Sequence, residues 1–439
     1  LFCWVFRPCF YADYYWFNYS YTDLATFPNI FFYKEGNNSD NGTNTGGFEG
    51  GADAAGLGGW RCPAGTGSTM GVGTGYAVHI QQGLTASFSG TLNNGTLNIP
   101  VSKTGAAAYS GWNLVGNPYP SPLDWDMVQA ANSGVVEAAI YRRIPKGSLN
   151  VVTWSKYVAG VGSTVEGGTI GGLAADVPTN VNKDIALGQG FFVVAKTNGN
   201  IQVTNAMRPT VATQTQPLFL RKEKTESNDK MLGKVHFRFQ NTQYYDDALV
   251  YFKEKATENY DGDFDAYKGT PNGGTMPDVS MTTADNKRVS INGLPKEAMK
   301  KSVAITLHAK TAGEYTFKAI ELKDFDAGTN VILWDKKANI KQNLGLNPTY
   351  KFTTNAGVEA SRFELLFDTP LAANEQGLTV FPNPVIDDKT TLQIATNELN
   401  DLAVKVYDVM GRVVLQETYK KADRTVSIAL KTSYLQEGT

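Results

Sequence analysis

The residues whose types and spacing come nearest to a binding site are three aspartates in "DGDFDAYKGTPN". Asp261, Asp263 and Asp265 hold positions 1, 3 and 5 of a calcium-loop pattern, in which hard oxygen ligands converge on one ion. The later positions of the loop do not match this pattern, because position 6 is Ala266 rather than glycine and position 12 is Asn272 rather than glutamate. A Ca²⁺ site is therefore one hypothesis, and an acidic loop without any cofactor is the other.

A second group of candidate residues lies in "GWNLVGNPYPSPLDWD". Trp112, Tyr119 and Trp125 could stack on the sugar rings of a polysaccharide if their side chains are exposed. Asp124 and Asp126 flank Trp125, a combination that occurs in sugar sites. The simpler interpretation of the same stretch is a packed turn with an aspartate cap. Both interpretations remain open at the level of sequence.

Other catalytic signatures do not occur. The three histidines each sit in a strand pattern, with no second His or Cys at ligand spacing, and they are His79, His236 and His308. No Gly-x-Ser-x-Gly elbow precedes a helical pattern, and no phosphate-binding loop is present. We therefore predict that this chain is not an enzyme.

Composition favours many short strands. The 439 residues include 44 glycines, 42% hydrophobic residues and 11% aromatic residues, without long helical patterns. We predict an all-β protein built from tandem antiparallel β-sandwich domains. The net charge of −2 gives no general attraction for nucleic acid, and no apolar run reaches the roughly 18 residues of a transmembrane helix. Cys3, Cys9 and Cys62 do not establish a disulfide framework.

Charge density divides the chain. The first 212 residues contain 23 charged side chains, whereas the remaining 227 contain 59. A polar stretch with two prolines, "RPTVATQTQPLFLRKEK", lies at the change and is typical of a linker. A second break falls at "FDTPLAANEQG". The predicted domains are 1–210, truncated at its N-terminus, 211–370 and 371–439.

Strand patterns fill these domains. Region 1–210 shows a weak internal duplication, in which Trp/Asn strands and Gly-x-Gly-aromatic strands recur in one order; chance similarity is the alternative. The middle region alternates with period two in "KVHFRFQ", "DALVYFKE", "SVAITLHAK", "YTFKAIEL" and "SRFELLFD". The last region adds "LTVFPNP", "TTLQIAT" and a hairpin whose turn is "DVMGR", with Gly411 able to take positive φ.

The last region closely resembles the type A C-terminal sorting domain of the type IX, or Por, secretion system. The matching elements are "FPNPVIDDKTTLQI", "VKVYDVMGR" and "LQEG". The residues carried over from the family's motifs are Pro382, Asn383, Pro384, Tyr407, Asp408, Gly411, Arg412 and Gly438. The resemblance implies a small immunoglobulin-like sandwich. Because the family continues past "LQEGT" with further strands, we expect this copy to be truncated.

The resemblance also implies a location and partners. Members are secreted or cell-surface proteins of Gram-negative bacteria, recognised by the type IX machinery, and many become attached to lipopolysaccharide. The upstream residues look like the stretch that precedes this domain in large surface proteins. We therefore expect the non-catalytic C-terminal part of a secreted or surface protein, with the upstream domains as a structural or adhesion stalk. The alternative is the accessory tail of a secreted hydrolase, with carbohydrate binding as its role.

Overall fold

The computed structural model describes most of the chain beyond residue 90 and short segments before it. The described residues are 3–6, 30–33, 35, 60–61, 70–78, 91–105, 110–144, 153–170, 182–209, 230–269, 276–368, 376–386, 389–398, 400–420 and 424–433. Cys9, Cys62 and most of the first half of the predicted duplication lie outside these ranges, so those two predictions stay open.

The N-terminal sandwich comprises the described residues up to 209. Its strands are β1 (Cys3–Phe6), β2 (Ile30–Tyr33), β3 (Trp60–Arg61), β4 (Gly75–Val78), β5 (Leu97–Val101), β6 (Trp112–Gly116), β7 (Leu123–Asp124), β8 (Val136–Ile144), β9 (Thr153–Val158), β10 (Gly162–Glu166), β11 (Gly168–Thr169), β12 (Asp184–Ile185), β13 (Gly190–Ala195) and β14 (Gly199–Val203). A helix α1 (Trp125–Ala131) and a 3₁₀ turn (Asn205–Met207) complete it.

A five-stranded sheet in the order β10-β9-β8-β13-β6 is the central layer of this sandwich. Strand β13 is buried along its whole length, which explains its continuous apolar sequence "GFFVVA". Phe191 and Val193 pack on one face, against α1 and the β5–β14 pair. Phe192 and Val194 pack on the other face. The sheet is therefore covered on both sides.

The middle sandwich comprises residues 230–368. Its strands are β15 (Gly233–Gln240), β16 (Tyr244–Phe252), β17 (Ala266–Tyr267), β18 (Asp278–Thr282), β19 (Arg288–Leu294), β20 (Val303–Ala309), β21 (Gly313–Lys323), β22 (Asn330–Asp335), β23 (Ile340–Asn343), β24 (Thr349–Thr354) and β25 (Gly357–Asp368). A 3₁₀ turn spans Lys296–Lys300, where "EAMKK" predicted one helical turn.

The strands of the middle sandwich enclose a single apolar core. Ten of them form a continuous hydrogen-bonded path, β23-β22-β25-β20-β18-β19-β16-β15-β21-β24. In β15, Val235, Phe237 and Phe239 are buried while the intervening residues are not, so the period-two prediction is confirmed. The ladders are antiparallel with one exception in this region, the parallel pair of β16 and β19.

The C-terminal sandwich comprises the described residues from 376. Its strands are β26 (Gly377–Ile386), β27 (Lys389–Ala395), β28 (Leu402–Tyr407), β29 (Val413–Tyr419) and β30 (Thr425–Lys431). They form a three-stranded sheet, β26-β27-β30, and the separate hairpin β28-β29. The small core between the sheets contains Leu392, Val404, Ile428 and Leu430. The all-β prediction is therefore confirmed, while an immunoglobulin-like topology for this domain stays a prediction.

Within the part of the chain described above, no helix has the length and apolar character that a membrane span requires.

Candidate functional site

The N-terminal and middle sandwiches meet along a buried contact surface, which we call the seam. Strand β11 of the N-terminal sandwich pairs with β16 of the middle one, Gly168 opposite Tyr245. One apolar cluster contains residues of both, including Trp112 and Phe192 on one side and Leu249 and Ile291 on the other. The boundary predicted near residue 210 lies outside the described residues, and the described chain on either side of it shares a ladder and a core.

The seam contains six charged side chains that pair with one another, here called the seam cluster. Its members are Lys156 and Glu166 of the N-terminal sandwich and Asp246, Lys268, Asp278 and Arg288 of the middle sandwich. Three cations therefore face three anions. Burying charge in a protein interior is costly unless each group is paired, and this balance satisfies that requirement.

Lys268 is the central member of the seam cluster and is fully buried. Its Nζ lies 2.5 Å from Oδ2 of Asp246 and 3.1 Å from Oε1 of Glu166. The backbone N–H of Val279 donates to the same Asp246 oxygen over 2.6 Å. One lysine thus joins a carboxylate of its own sandwich to a carboxylate of the other.

Lys156 and Arg288 hold the two flanks of the cluster. Lys156 donates to Glu166 and, across the seam, to the backbone oxygen of Tyr267 at 2.5 Å. Arg288 donates to Asp278 and, over 3.0 Å, to Ser280 Oγ. These contacts leave each cation of the cluster with at least two acceptors or anions.

Burial and pairing act against each other in the seam cluster. Burial raises the pKa of Asp246 to about 7 and lowers the pKa of Lys156 to about 8. Burial also opposes the charged form of Lys268, but Asp246 and Glu166 outweigh it and raise the pKa of this ammonium. For Asp278, the nearby Lys268 and Arg288 overcome burial and lower the pKa. The cluster can therefore act as a set of ion pairs or as an amine held against a carboxyl group.

A second polar contact crosses the seam beside Glu137. The Tyr260 phenol donates to Oε2 of Glu137 over 2.7 Å, and its ring stacks on Tyr267 with 4.1 Å between centroids. Burial raises the pKa of Glu137 to about 7. Gly262 approaches the same carboxyl so closely that a Cβ there would lie 2.3 Å from Glu137 Cδ, so any larger residue would require the loop or the carboxyl to shift.

The predicted calcium residues lie in the loop that carries this contact. Asp265 is buried, and its two oxygens accept from the backbone N–H groups of Asp261 and Gly293, each over 2.7 Å. Asp261 Oδ1 accepts from Asp263 N, and Asp263 pairs with Lys196 of the N-terminal sandwich. The loop "DGDFD" is thus a connector across the seam.

These bonds bear on the metal hypothesis. Burial raises the pKa of Asp265 to about 8, which favours a protonated carboxyl over a metal ligand. Across the described ranges, no group of three His, Cys, Asp or Glu side chains is arranged to hold a metal ion. The Ca²⁺ hypothesis stays a prediction that this geometry does not support.

The predicted carbohydrate residues are not exposed, and that expectation is wrong. Trp112, Tyr119 and Trp125 have 4%, 0% and 0% of their surfaces exposed. Trp125 donates to Ala138 O over 2.8 Å, and the Tyr119 phenol donates to Gly95 O over 2.6 Å. The prolines and polar residues of this stretch are typical of an exposed turn, which is why its sequence suggests a surface segment. In the structure its three aromatic rings belong to two hydrophobic cores.

The alternative interpretation of that stretch, a packed turn with an aspartate cap, is confirmed. Asp124 Oδ1 accepts from the backbone N–H of Asp126 and Met127, the second and third residues of α1. Asp126 accepts from the Tyr157 phenol over 2.8 Å and from Gly160 N over 2.9 Å. Both carboxylates therefore have structural roles, Asp124 as the cap of α1 and Asp126 as a hydrogen-bond acceptor.

The residues predicted for the sorting motif form an ordered hairpin tip in the C-terminal sandwich. Asp408 Oδ1 accepts from the backbone N–H of Met410 and of Arg412, each over 2.9 Å, and Oδ2 accepts from the Arg412 guanidinium over 2.7 Å. Gly411 has φ +81°, as the turn requires. Between them Val409 and Met410 are 85% and 77% exposed. The turn thus presents two apolar side chains on a fixed backbone.

The proline motif lies in β26, in the three-stranded sheet of this sandwich. Pro382 and Asn383 are exposed in β26, and Thr390 Oγ1 donates to Pro382 O over 3.0 Å. Pro384 is in the same strand, and Gly438 lies outside the described residues. Tyr407 precedes the hairpin tip and is half-exposed. The described residues of the two motifs therefore belong to different sheets of the domain.

Arg424 joins the C-terminal sandwich to the middle one. Its Nε lies 2.9 Å from Asp368 Oδ1, and its Nη2 donates to Gly328 O over 2.6 Å. Its Nη1 donates to Asn397 O over 3.0 Å within its own domain. This buried guanidinium fixes the start of β30 against the end of β25.

Sequence reasoning did not find the seam cluster. Its pairs join residues far apart in the chain, such as Glu166 and Lys268, and no local spacing marks them. Lysines are normally exposed, so Lys156 and Lys268 look like surface residues of alternating strands. The available signal is local and weak, since Lys156 lies in the apolar stretch "WSKYVAG".

Comparisons with known proteins divide the chain at the same place as the fold. A family model described as a domain of unknown function (DUF8693) matches residues 9–367. A model described as a secretion system C-terminal sorting domain matches residues 379–439. No curated protein and no solved structure gives a match. The second match confirms the predicted resemblance: the chain is a cargo of type IX secretion, recognised by that machinery, and is secreted or displayed at the cell surface.

Proposed function

The chain belongs to the family described as a domain of unknown function (DUF8693), and from this premise we propose that its N-terminal and middle sandwiches are a non-catalytic structural stalk of the exported protein. The observation that carries this proposal is the seam. A stalk has to transmit force and hold its shape outside the cell. Two domains that share a hydrophobic core and a strand ladder should resist force together and unfold in one event.

The contacts of the seam support this role. The apolar cluster between the sandwiches includes fully buried side chains from both, such as Val158, Leu249 and Ile291. Inter-domain contacts that are apolar and continuous resist relative motion, whereas small polar ones permit it. The charged groups of the seam cluster pair with one another, and these ion pairs hold the fold together.

Force spectroscopy on the full chain tests the stalk. Pulled from its ends, the protein should release the N-terminal and middle sandwiches in one event with their combined contour length. The variant Leu249→Ala, in the shared core, should split that event into two. The matched control Leu333→Ala, in the core of the middle sandwich alone, should lower the force without splitting it. Two independent events in the unmodified chain would contradict the proposal.

We also propose that the Asp408–Arg412 hairpin tip is the part of the sorting domain that the secretion machinery contacts. The sorting-domain match supports contact with that machinery, and among the described residues of this domain Val409 and Met410 are the most exposed large apolar side chains. Exposed apolar residues on a rigid turn lose little entropy on binding, which favours them as anchors.

Export of the gene-encoded protein from a bacterium with type IX secretion tests the hairpin tip. Replacing Val409→Ser and Met410→Ser together should lower the exported fraction on the order of tenfold, as loss of about 1.4 kcal/mol of binding would. Leu346→Ser, at an 86% exposed site of the middle sandwich, is the control and should export normally. Normal export of the double variant would show that the machinery reads another surface.

A further inference from the structure

The seam cluster holds a primary amine against a carboxyl group in a site that excludes water. Among the described residues, Lys156 and Lys268 are the only buried lysines. The Nζ of Lys268 lies 2.5 Å from Asp246 Oδ2, and both side chains are at most 2% exposed. Holding two reacting groups in contact replaces a bimolecular encounter and removes much of the entropic barrier.

The carboxyl group of Asp246 is also polarised by the backbone. Val279 N donates to Oδ2 over 2.6 Å, on the oxygen that faces Lys268. A backbone N–H at this position stabilises negative charge that develops on the oxygen when a nucleophile adds to Cγ. Once Asp246 is protonated, its Cγ is therefore an electrophile with one fixed hydrogen-bond donor already in place.

A third side chain can move the proton. Glu166 Oε1 lies 3.1 Å from Nζ of Lys268, within reach for proton transfer, and the ammonium of Lys156 pairs with the same oxygen. Glu166 comes from the N-terminal sandwich, so the arrangement is complete only when the two sandwiches have docked. The amine, the carboxyl and the base are thus brought together by folding.

We propose that Lys268 and Asp246 condense into an intramolecular amide bond, with Glu166 as the proton-transferring residue. It is a single intramolecular event, not turnover of a substrate. The resulting cross-link joins β16 to the segment after β17 and fixes the middle sandwich at the seam.

The reaction balances without an oxidant or a co-reactant. One proton passes from the Lys268 ammonium, through Glu166, to Oδ1 of Asp246, the oxygen that Val279 does not hold, and the free Nζ adds to Cγ of the neutral carboxyl to form an N–Cγ bond. A second proton then passes from the same nitrogen, through Glu166, to Oδ1, which leaves as water. Two N–H bonds and one C–O bond break, one N–C bond and two O–H bonds form, and the cluster loses one positive and one negative charge.

Removal of that charge pair is the driving force. Ionised groups without water are unfavourable, and an amide is neutral and needs only ordinary hydrogen bonds. Attraction by Asp246 and Glu166 keeps the resting pair ionic, so the step is expected to be slow relative to folding. Once formed, the bond also restricts the unfolded chain between residues 246 and 268.

The intact mass of the purified full chain, measured after denaturation, tests the proposal. The expected mass is that of the sequence less one water molecule, and peptide mapping should give one branched peptide joining residues 246 and 268. An unmodified mass in the aged, folded protein would overturn the proposal. So would a branched peptide that joins Lys156 to Glu166 instead.

Three variants separate the chemistry from the ion pairs. Lys268→Arg keeps the charge but not the amine nucleophile, and it should show the full sequence mass. Lys156→Arg is the matched control and should still lose water. Glu166→Gln should fold, as judged by circular dichroism, and cross-link on the order of a hundredfold more slowly, the usual cost of losing a general base. Loss of water in Lys268→Arg would contradict the assignment, and the wild-type peptide map decides alone if a variant does not fold.

Discussion

The phenol of Tyr260 in the middle sandwich donates a 2.7 Å hydrogen bond to the carboxyl group of Glu137 in the N-terminal sandwich. Both side chains are largely buried, and beside them the backbone N–H of Ala138 donates to Gly262 O over 2.8 Å, from the N-terminal sandwich to the middle one. The seam is therefore closed by specific polar contacts as well as by apolar packing. Specific contacts fix one relative placement of the two sandwiches.

Removing that hydroxyl should weaken the seam. Tyr260→Phe leaves the Glu137 oxygen without its donor, and an unsatisfied buried acceptor costs about 1–3 kcal/mol. Urea denaturation should show this loss of unfolding free energy, while Tyr407→Phe, at a half-exposed site, should change it by less than about 0.5 kcal/mol. Equal stability of the two variants would mean that the bond contributes nothing.

Stability should fall with rising pH in the window set by Glu137. Burial raises its pKa from 4.5 to about 7, so the folded state binds the proton more tightly than the unfolded state. The corresponding stability is complete below about pH 4.5 and is lost as the pH rises through about 7. Between pH 5 and 7.5, the unfolding free energy of the wild type should fall by about 1–3 kcal/mol more than that of Glu137→Gln. A parallel pH profile for wild type and variant would contradict the assignment.

Adding one carbon at Gly262 should be costly. A Cβ there would lie 2.3 Å from Cδ of Glu137, so Gly262→Ala must push the loop or the carboxyl aside, at about 1–3 kcal/mol. Gly134 has open space around the same position, and Gly134→Ala is the matched control, expected to be near neutral. Chemical denaturation of the pair measures the difference. Similar midpoints would show that the seam is loose at this point.

Calcium should not change the melting temperature. Asp261 and Asp265 are engaged in backbone hydrogen bonds, and Asp263 is paired with Lys196. Differential scanning calorimetry in millimolar Ca²⁺ and in chelator should therefore give superimposable curves. A ligand that binds the folded state raises its stability by mass action, so a clear upward shift with Ca²⁺ would restore the metal site.

Local structure was largely predictable from the sequence, because it depends on neighbours in the chain. The alternation of Val235, Phe237 and Phe239 predicts a strand with one buried face, and Asp408 with Gly411 predicts the hairpin turn. The Asp124 cap of α1 follows from the same kind of short-range evidence.

Long-range pairing was not predictable in this way. Nothing near Lys268 in the chain indicates that its partner is Glu166, about a hundred residues earlier. The burial of Trp112 depends in the same way on Tyr141 and Phe192, which come from other strands. A buried lysine and an exposed one differ little in their local sequence, so the assembled sheets are needed to distinguish them.

Native-state hydrogen exchange tests most directly whether the two sandwiches are one cooperative unit. Amides in β8 and β13 of the N-terminal sandwich and in β15 and β16 of the middle sandwich should open with a single, shared free energy, and both sets should shift together in Gly262→Ala. Exchange of the β8 and β13 amides through an opening of clearly lower free energy, with β15 and β16 unaffected, would show that the sandwiches unfold separately and would contradict the account.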